Sequence, residues 1–240
     1  MTARARHIGI VAVSAEGAAL CYRTICVEGA AILGRHAHPP VTMHTIPLSD
    51  YMRFIEAGDW DEVGRLMGSS ARILVEAGVE LIVCPDNTVH EAYDRGCATV
   101  DVPWLHIAEE VAREAEARGY GRLGILGTRY LMEGPVYPSR LGRLGIASEI
   151  PALEDRERID AVIMDELVYG RFTEESRRGF ADIIARLGER GCDAVVLGCT
   201  EIPLLVGPED SPLPVLDSTR LLARAALREA TVDLPRGAPV

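Results

Sequence analysis

The chain has 240 residues, 48% of them apolar, and a formal net charge of −11 at pH 7. That is enough apolar chain for one large core or for two domains of roughly 110 residues each. The acidic balance comes with neither a basic stripe nor an aromatic-interleaved basic patch, which argues against a nucleic-acid or anionic-membrane partner and leaves a small anionic substrate open. The start runs into a strand-like segment without the apolar stretch of a signal peptide, and no later apolar run reaches about 18 residues, so a cytoplasmic protein is expected. The cysteines, Cys21, Cys26, Cys84, Cys97, Cys192 and Cys199, form no CxxC pair and read as thiols of a reducing compartment.

Taken in order, residues 7–13 read as a buried strand, 16–31 as the helix after it and 41–46 as a second strand. Residues 61–76 are helical, with Val63, Leu66, Met67, Ser70, Ile73 and Leu74 near a 3.6-residue period, and Gly78 stops the helix. Residues 79–84 form a buried strand, 88–95 a helix, 103–106 a short strand and 108–117 a helix. The second half predicts a strand at 123–126, helices at 137–144, 159–169 and 174–187, strands at 193–197 and 213–216, and a closing helix at 219–230. Such alternation predicts an α/β fold with mostly parallel sheets covered by helices.

One passage occurs twice. Ala77-Gly78-Val79-Glu80-Leu81-Ile82-Val83-Cys84-Pro85-Asp86-Asn87-Thr88 returns as Arg190-Gly191-Cys192-Asp193-Ala194-Val195-Val196-Leu197-Gly198-Cys199-Thr200, and eight residues past each glycine stands a proton-transfer candidate, Asp86 or Cys199. Gly9-Ile10-Val11-Ala12-Val13 likewise matches Gly124-Ile125-Leu126-Gly127-Thr128, and Pro103-Trp104-Leu105-His106 matches Pro214-Val215-Leu216-Asp217. Three correspondences in the same order predict two pseudo-symmetric lobes. The expected division is 1–105 for the lobe carrying Asp86, 106–216 for the lobe carrying Cys199, and 217–240 for a helix and tail returning to the first.

In open α/β sheets, ligands bind beyond the carboxyl ends of the strands. Asp86, Asn87 and Thr88 fall at such an end in the first lobe and Cys199 with Thr200 in the second, so an interlobe site would place an acid/base on either side of one substrate. That suits proton exchange at a carbon next to a carboxylate. No GxGxxG or GxxxxGK(S/T) loop is present and Cys84 with His90 lacks the companions of a zinc site, so neither a cofactor nor a metal is expected.

A thiol near a helix N-terminus can be shifted from about 8.5 into roughly the 3.5–7.5 range, which makes Cys199 the stronger candidate base. Asp86 is harder to place. An ordinary carboxylate titrates near 3.9, so keeping Asp86 protonated at pH 7 takes roughly 4 kcal/mol of differential environment. Asp86 is read either as a direct acid/base, as an orienting or substrate-binding group, or as a turn residue. Asn87, Thr88 and Thr200 are candidate donors to the substrate or candidate helix caps; Ser14 and Thr128, at the ends of the repeated first strands, are cleft residues or caps. Glu201 either meets a substrate amine or caps its own helix, and His90 and His106 either line the site or pack beneath it.

With these residues assembled, the chain resembles the aspartate/glutamate racemase family, and within it the broad amino-acid racemase branch. The resemblance rests on Asn87-Thr88-Val89-His90, on Leu126-Gly127-Thr128-Arg129-Tyr130-Leu131-Met132-Glu133, on Gly170-Arg171-Phe172-Thr173-Glu174-Glu175-Ser176-Arg177, and on Leu197-Gly198-Cys199-Thr200-Glu201-Ile202-Pro203. It implies two Rossmann-like lobes, chemistry independent of PLP, and a homodimer. Members usually present a cysteine in each lobe; here the second falls on Cys199 and the first on Asp86. The early Gly-Gly-Met-Ser-like loop is Val11-Ala12-Val13-Ser14, and a lysine typical of aspartate racemases would fall near Val168.

The expected activity is racemisation of an amino acid, aspartate or glutamate or a relative, between Asp86 and Cys199. The alternatives are a one-sided reaction using mainly Cys199, such as decarboxylation of a substituted malonate or isomerisation of an unsaturated diacid, and a protein that binds a small carboxylate without turnover.

Overall fold

The computed structural model describes residues 4–234; residues 1–3 and the tail at 235–240, assigned above to the two ends of the chain, lie outside the described residues. The chain divides into two compact units, one reaching to Ile107 and resuming at Thr219, the other Ala108–Ser218. In the first unit β1 (Ile8–Ala12) is followed by α1 (Ala15–Leu33), β2 (Val41–Thr45), α2 (Leu48–Ala57), α3 (Trp60–Glu76), β3 (Leu81–Val83), α4 (Tyr93–Cys97) and β4 (Trp104–Leu105). Its sheet is wholly parallel with order β2-β1-β3-β4. In the second come α5 (Ile107–Arg118), β5 (Arg122–Leu126), α6 (Arg129–Glu133), α7 (Val136–Leu141), β6 (Ala147–Glu149), α8 (Leu153–Asp165), α9 (Glu174–Glu189), β7 (Ala194–Leu197), α10 (Ile202–Leu205) and β8 (Val215–Asp217). Here the parallel order is β6-β5-β7-β8, the first sheet's order repeated. The predicted α/β class and the internal duplication are both present.

Every residue of β1 and β7 is buried, which is why both read as unbroken apolar runs rather than alternating ones: a central parallel strand has helices on both faces. The glycine before each repeated strand does one job twice. Gly78 adopts φ 83° and Gly191 φ 84°, a left-handed conformation cheap for glycine alone. Gly78 N–H donates to Val75 O at 2.9 Å and Val79 N–H to Leu74 O at 3.2 Å; Gly191 N–H and Cys192 N–H repeat the pattern onto Gly188 O and Leu187 O. This pair of bonds closes the helix end and turns the chain straight into the next strand.

The closing helix α11 (Ser218–Thr231) contributes Leu222, Ala223, Ala226 and Leu227 to the first unit's core, beside Ile8, Ile10, Cys21, Ile25, Leu81 and Val83. The second core gathers Ile159, Ile163, Phe180, Ile183, Leu187, Val195 and Leu197.

Several boundaries differ from the sequence reading. The helix expected at 159–169 is α8 with a separate 3-10 turn, Leu167–Tyr169, because α8 starts on charged residues that carry no apolar period and Gly170 at φ 70° ends the turn. The segment expected at 88–95 is a 3-10 turn, Thr88–Ala92, followed by α4. Ile73, counted with the apolar face of α3, points outward. Leu222→Ala should cost about 2–5 kcal/mol by leaving a cavity in the first core, seen as a fall of roughly 5–15 °C in melting temperature; Val27→Ala, on the exposed side of α1, should move it by less than about 2 °C.

Candidate active site

In the first unit β1 and β3 are neighbours, with Ile10 opposite Val83, so both strands deliver their next residues to one end of the sheet. Ser14, just past β1, is buried and caps α1: its hydroxyl oxygen accepts the Gly17 N–H at 3.2 Å. Past β3 the chain runs through buried Cys84 and Pro85 to half-buried Asp86, whose carboxylate accepts the Val89 N–H at 3.3 Å and so starts the 3-10 turn. Asn87 is buried and Thr88 half-buried on that turn, and the Asn87 side chain makes no capping bond.

Burial pushes the Cys84 thiol well up, the negative charge of Asp86 adds to the effect, and an Asp86 backbone N–H bond to the sulfur partly offsets it. Cys84 therefore stays a thiol at neutral pH, a core group rather than a second base. His90 is buried with Nε2 2.9 Å from Cys84 O; a carbonyl can only accept, so Nε2 carries the proton. Its ring lies 4.5 Å from His106 and 5.4 Å from Tyr93, and the Tyr93 hydroxyl donates to Trp104 O at 2.9 Å. His90 thus holds the loop leading to Asp86 against a layer formed by His106 and Tyr93.

The second unit repeats the plan with other chemistry. Leu126 at the end of β5 pairs with Leu197 at the end of β7, and Gly198 N–H donates to Leu126 O at 2.7 Å. Thr128 caps α6, its hydroxyl oxygen accepting the Leu131 N–H at 3.3 Å. Cys199 is half-buried, and its Sγ–H donates to Glu201 Oε2 at 2.9 Å. The Thr200 hydroxyl donates to the same oxygen at 2.8 Å. Glu201 is 4% exposed, so these donors offset much of the cost of burying a carboxylate. At the start of α10 Glu201 makes no side-chain capping bond, which removes the cap reading. The helix after Cys199 has four residues, so the nearby carboxylate, more than a helix dipole, is what the thiol meets.

The structure thus brings Ser14 together with Asp86, Asn87 and Thr88 at one sheet end, and Thr128 together with Cys199, Thr200 and Glu201 at the other unit's equivalent end. Sequence reasoning missed Tyr51, fully buried on α2, whose phenol is pushed up by burial with the charges of Cys84 and Asp86 adding to the effect. The signal was thin, since Tyr51 and Ile55 are the two buried residues of α2. Among the described residues no group of three or more His, Cys, Asp and Glu could hold a metal ion.

A family model described as Asp/Glu/Hydantoin racemase matches residues 8–226. The chain belongs to the Asp/Glu/Hydantoin racemase family. As a family member it is 30% identical over 174 residues to glutamate racemase of Thermus thermophilus, covering 69% of this chain and 61% of that protein, less than two thirds of its length. It is 22% identical over 169 residues to the broad specificity amino-acid racemase RacX of Bacillus subtilis, covering 70% of this chain and 73% of that one. A crystal structure of a candidate Asp/Glu racemase from Yersinia pestis matches with a TM-score of 0.86 and 33% identity, over 94% of this chain and 99% of that chain. The family and these relatives are racemases, which bears out the reading of the sequence as an amino-acid racemase.

Gly198 has a steric reason to be glycine. A Cβ there would lie 2.8 Å from Leu126 O and 2.5 Å from Leu131 Cδ2. Gly198→Ala should therefore push the Cys199 loop off the end of β5 and cost about 1–3 kcal/mol, read in a thermal melt as a loss of roughly 2–10 °C together with most of the activity.

Proposed function

We propose that this member of the family racemises a small amino acid carrying a second carboxylate, glutamate or aspartate first, without a cofactor, using Cys199 and Asp86 on opposite faces of the α carbon. The observation that carries the proposal is the Cys199–Glu201 contact: a thiol at a strand end whose proton is already directed at a buried carboxylate. Glu201 is then a proton acceptor and positioning group for Cys199 rather than a holder of the substrate amine. As a thiolate, Cys199 takes the α proton of one enantiomer, the electron pair is delocalised into the substrate carboxylate, and the Asp86 carboxyl returns a proton from the other face. That leaves a Cys199 thiol and an Asp86 carboxylate, the pair that serves the opposite enantiomer. Asn87, Thr88 and Thr200, with Ser14 and Thr128, are proposed to donate to the substrate carboxylates as charge develops; one well-placed donor is worth about 2.7–4 kcal/mol.

The acidic substrate is supported by the relatives' names, one a glutamate racemase and one a candidate Asp/Glu racemase, while the broad specificity relative widens the class to other amino acids. Asp86 in place of a thiol favours the one-sided decarboxylase or isomerase as the second reading. Incubation with L- and D-amino acids in heavy water, followed by mass and chiral analysis, tests both. Racemisation puts deuterium at the α position of recovered substrate and of its enantiomer; loss of CO2 from a malonate panel without such exchange overturns it in favour of decarboxylation.

Cys199→Ala should abolish turnover while the melting temperature is kept, and full activity in that variant sinks the mechanism. Glu201→Gln separates two roles: a proton acceptor loses kcat by about 100-fold or more with little change in KM, whereas an amine-binding group raises KM. Asp86→Asn is expected to follow the first pattern. We also infer a cytoplasmic homodimer, supported by the family resemblance and the lack of any described helix long and apolar enough to cross a membrane; sedimentation at twice the 26.0 kDa chain mass is the expected result.

A further inference from the structure

Each reactive residue follows a peptide group that is held on both of its sides. In the second unit this is the Leu197–Gly198 peptide, just ahead of Cys199. Its N–H donates to Leu126 O at 2.7 Å, and its carbonyl accepts the Ser218 hydroxyl at 2.9 Å. Leu197 pairs with Asp217, the last residue of β8, and Ser218 starts α11. Where the neighbouring strand turns away into a helix, the 0% exposed Ser218 side chain therefore keeps hold of the end of β7. In the first unit the Cys84–Pro85 peptide stands in the equivalent place ahead of Asp86. Its carbonyl accepts the His90 Nε2–H at 2.9 Å, and on its nitrogen the proline ring replaces the N–H and fixes φ. His90, on the 3-10 turn, is 3% exposed. The two donors do not correspond in the duplication, since Ser218 lies 19 residues after Cys199 and His90 only 4 after Asp86. A buried carbonyl has to be met by some donor. Two unrelated side chains meeting the same carbonyl in each copy mark the tether itself as what both half-sites require.

We propose that Ser218 and His90 are matched positioning residues, each locking the peptide that carries one reactive group: Ser218 for Cys199 and His90 for Asp86. The lever is short. Only φ and ψ of Gly198 separate the held plane from Cα of Cys199, and only ψ of Pro85 separates its counterpart from Cα of Asp86. Without the Ser218 hydroxyl the peptide can rock about its remaining bond to Leu126 O and carry Sγ with it. Proton transfer to and from carbon tolerates little displacement of that kind. In this role neither residue touches the substrate or moves a proton. The inference rests on the reading of Cys199 and Asp86 as the two bases.

Ser218→Ala and His90→Phe in the full chain each remove one tether, and the second keeps a flat ring against His106 and Tyr93. Racemisation should fall about tenfold to a hundredfold in either, the scale expected when a reacting group is misplaced. At limiting substrate the fall must be equal from both enantiomers, since their free energies are equal, so the deciding measurement is how the intermediate partitions in heavy water. With Cys199 misplaced in Ser218→Ala, the enantiomer deprotonated by Asp86 waits longer for inversion. Solvent deuterium then enters it with retained configuration more often, relative to inversion, than in the wild-type chain, and the other enantiomer shows no such rise. His90→Phe should show the rise from the opposite enantiomer. Two residues that merely stabilise the fold give no such opposed pattern. Ser218→Cys, whose thiol is a weak donor, and His90→Leu carry the test in the same opposed directions if the first pair does not fold. A wild-type chain that racemises while the variants leave both ratios unchanged, or raise the ratio from the same enantiomer, overturns this inference alone. A wild-type chain that exchanges no amino acid overturns the racemase reading and this inference together.

Discussion

Where the parallel strands stop governs the rest of this molecule. Because β1 is paired with β3, and β5 with β7, in parallel, the residues following each pair emerge at one end of one sheet, whatever their identity. Helix starts then follow at once, so the emerging residues are capping and turn residues: Ser14 and Asp86 in one unit, Thr128 and Cys199 in the other. Those requirements leave little freedom. Ser14, Asp86 and Thr128 each accept a backbone N–H from a residue three positions on, so a group proposed to meet the substrate also fixes the start of its own helix or turn. The Gly198 contact with Leu126 O applies the same constraint from below, because any side chain there would part the two strand ends.

Although the two ends share a scaffold, they differ in the company each reactive group keeps. Cys199 meets a buried carboxylate that accepts its hydrogen bond, and the Thr200 hydroxyl donates to the same oxygen. In the first unit the Cys84 thiol and the Tyr51 phenol are both held in their protonated forms by burial, and the charge of Asp86 adds to the effect on each. Thus the thiol at Cys199 has an acidic neighbour, whereas the thiol at Cys84, beside Asp86, is kept neutral.

How far this was legible in the chain follows from how local each cause is. The strands β1, β3, β5 and β7 were readable because burial on both faces writes an unbroken apolar run, and Gly78 and Gly191 announced their helix ends because a left-handed turn selects glycine. The edge strand β6, Ala147–Glu149, was not readable, since three partly exposed residues carry no pattern. Helix α2 escaped because Tyr51 and Ile55 alone face inward, too narrow a stripe to show a period. At the candidate site, Asp86 and Cys199 were found through the duplication, which is a property of the sequence. The partnership of Cys199 with Glu201 was not, because two residues apart on a chain says nothing about which way a side chain turns.

The mismatch between carboxyl and thiol can be weighed. A racemase with one proton shared over two bases alternates between thiolate with carboxylic acid and thiol with carboxylate. From ordinary values near 8.5 and 3.9, the second arrangement is favoured by roughly 6 kcal/mol. Left at that, the state needed by the enantiomer facing Cys199 would be scarce, and turnover in both directions would suffer because each passes through both states. Glu201 cannot close the gap by its charge, since a nearby anion opposes the thiolate; what the structure shows is that it receives the thiol's hydrogen bond. Any narrowing has to come from the Asp86 side, since burial disfavours the charged form of a carboxyl. A cation beside Asp86 would fix it in its ionised form and widen the gap. A carboxyl paired with a thiol across one substrate therefore asks more of the surroundings of the carboxyl than of those of the thiol.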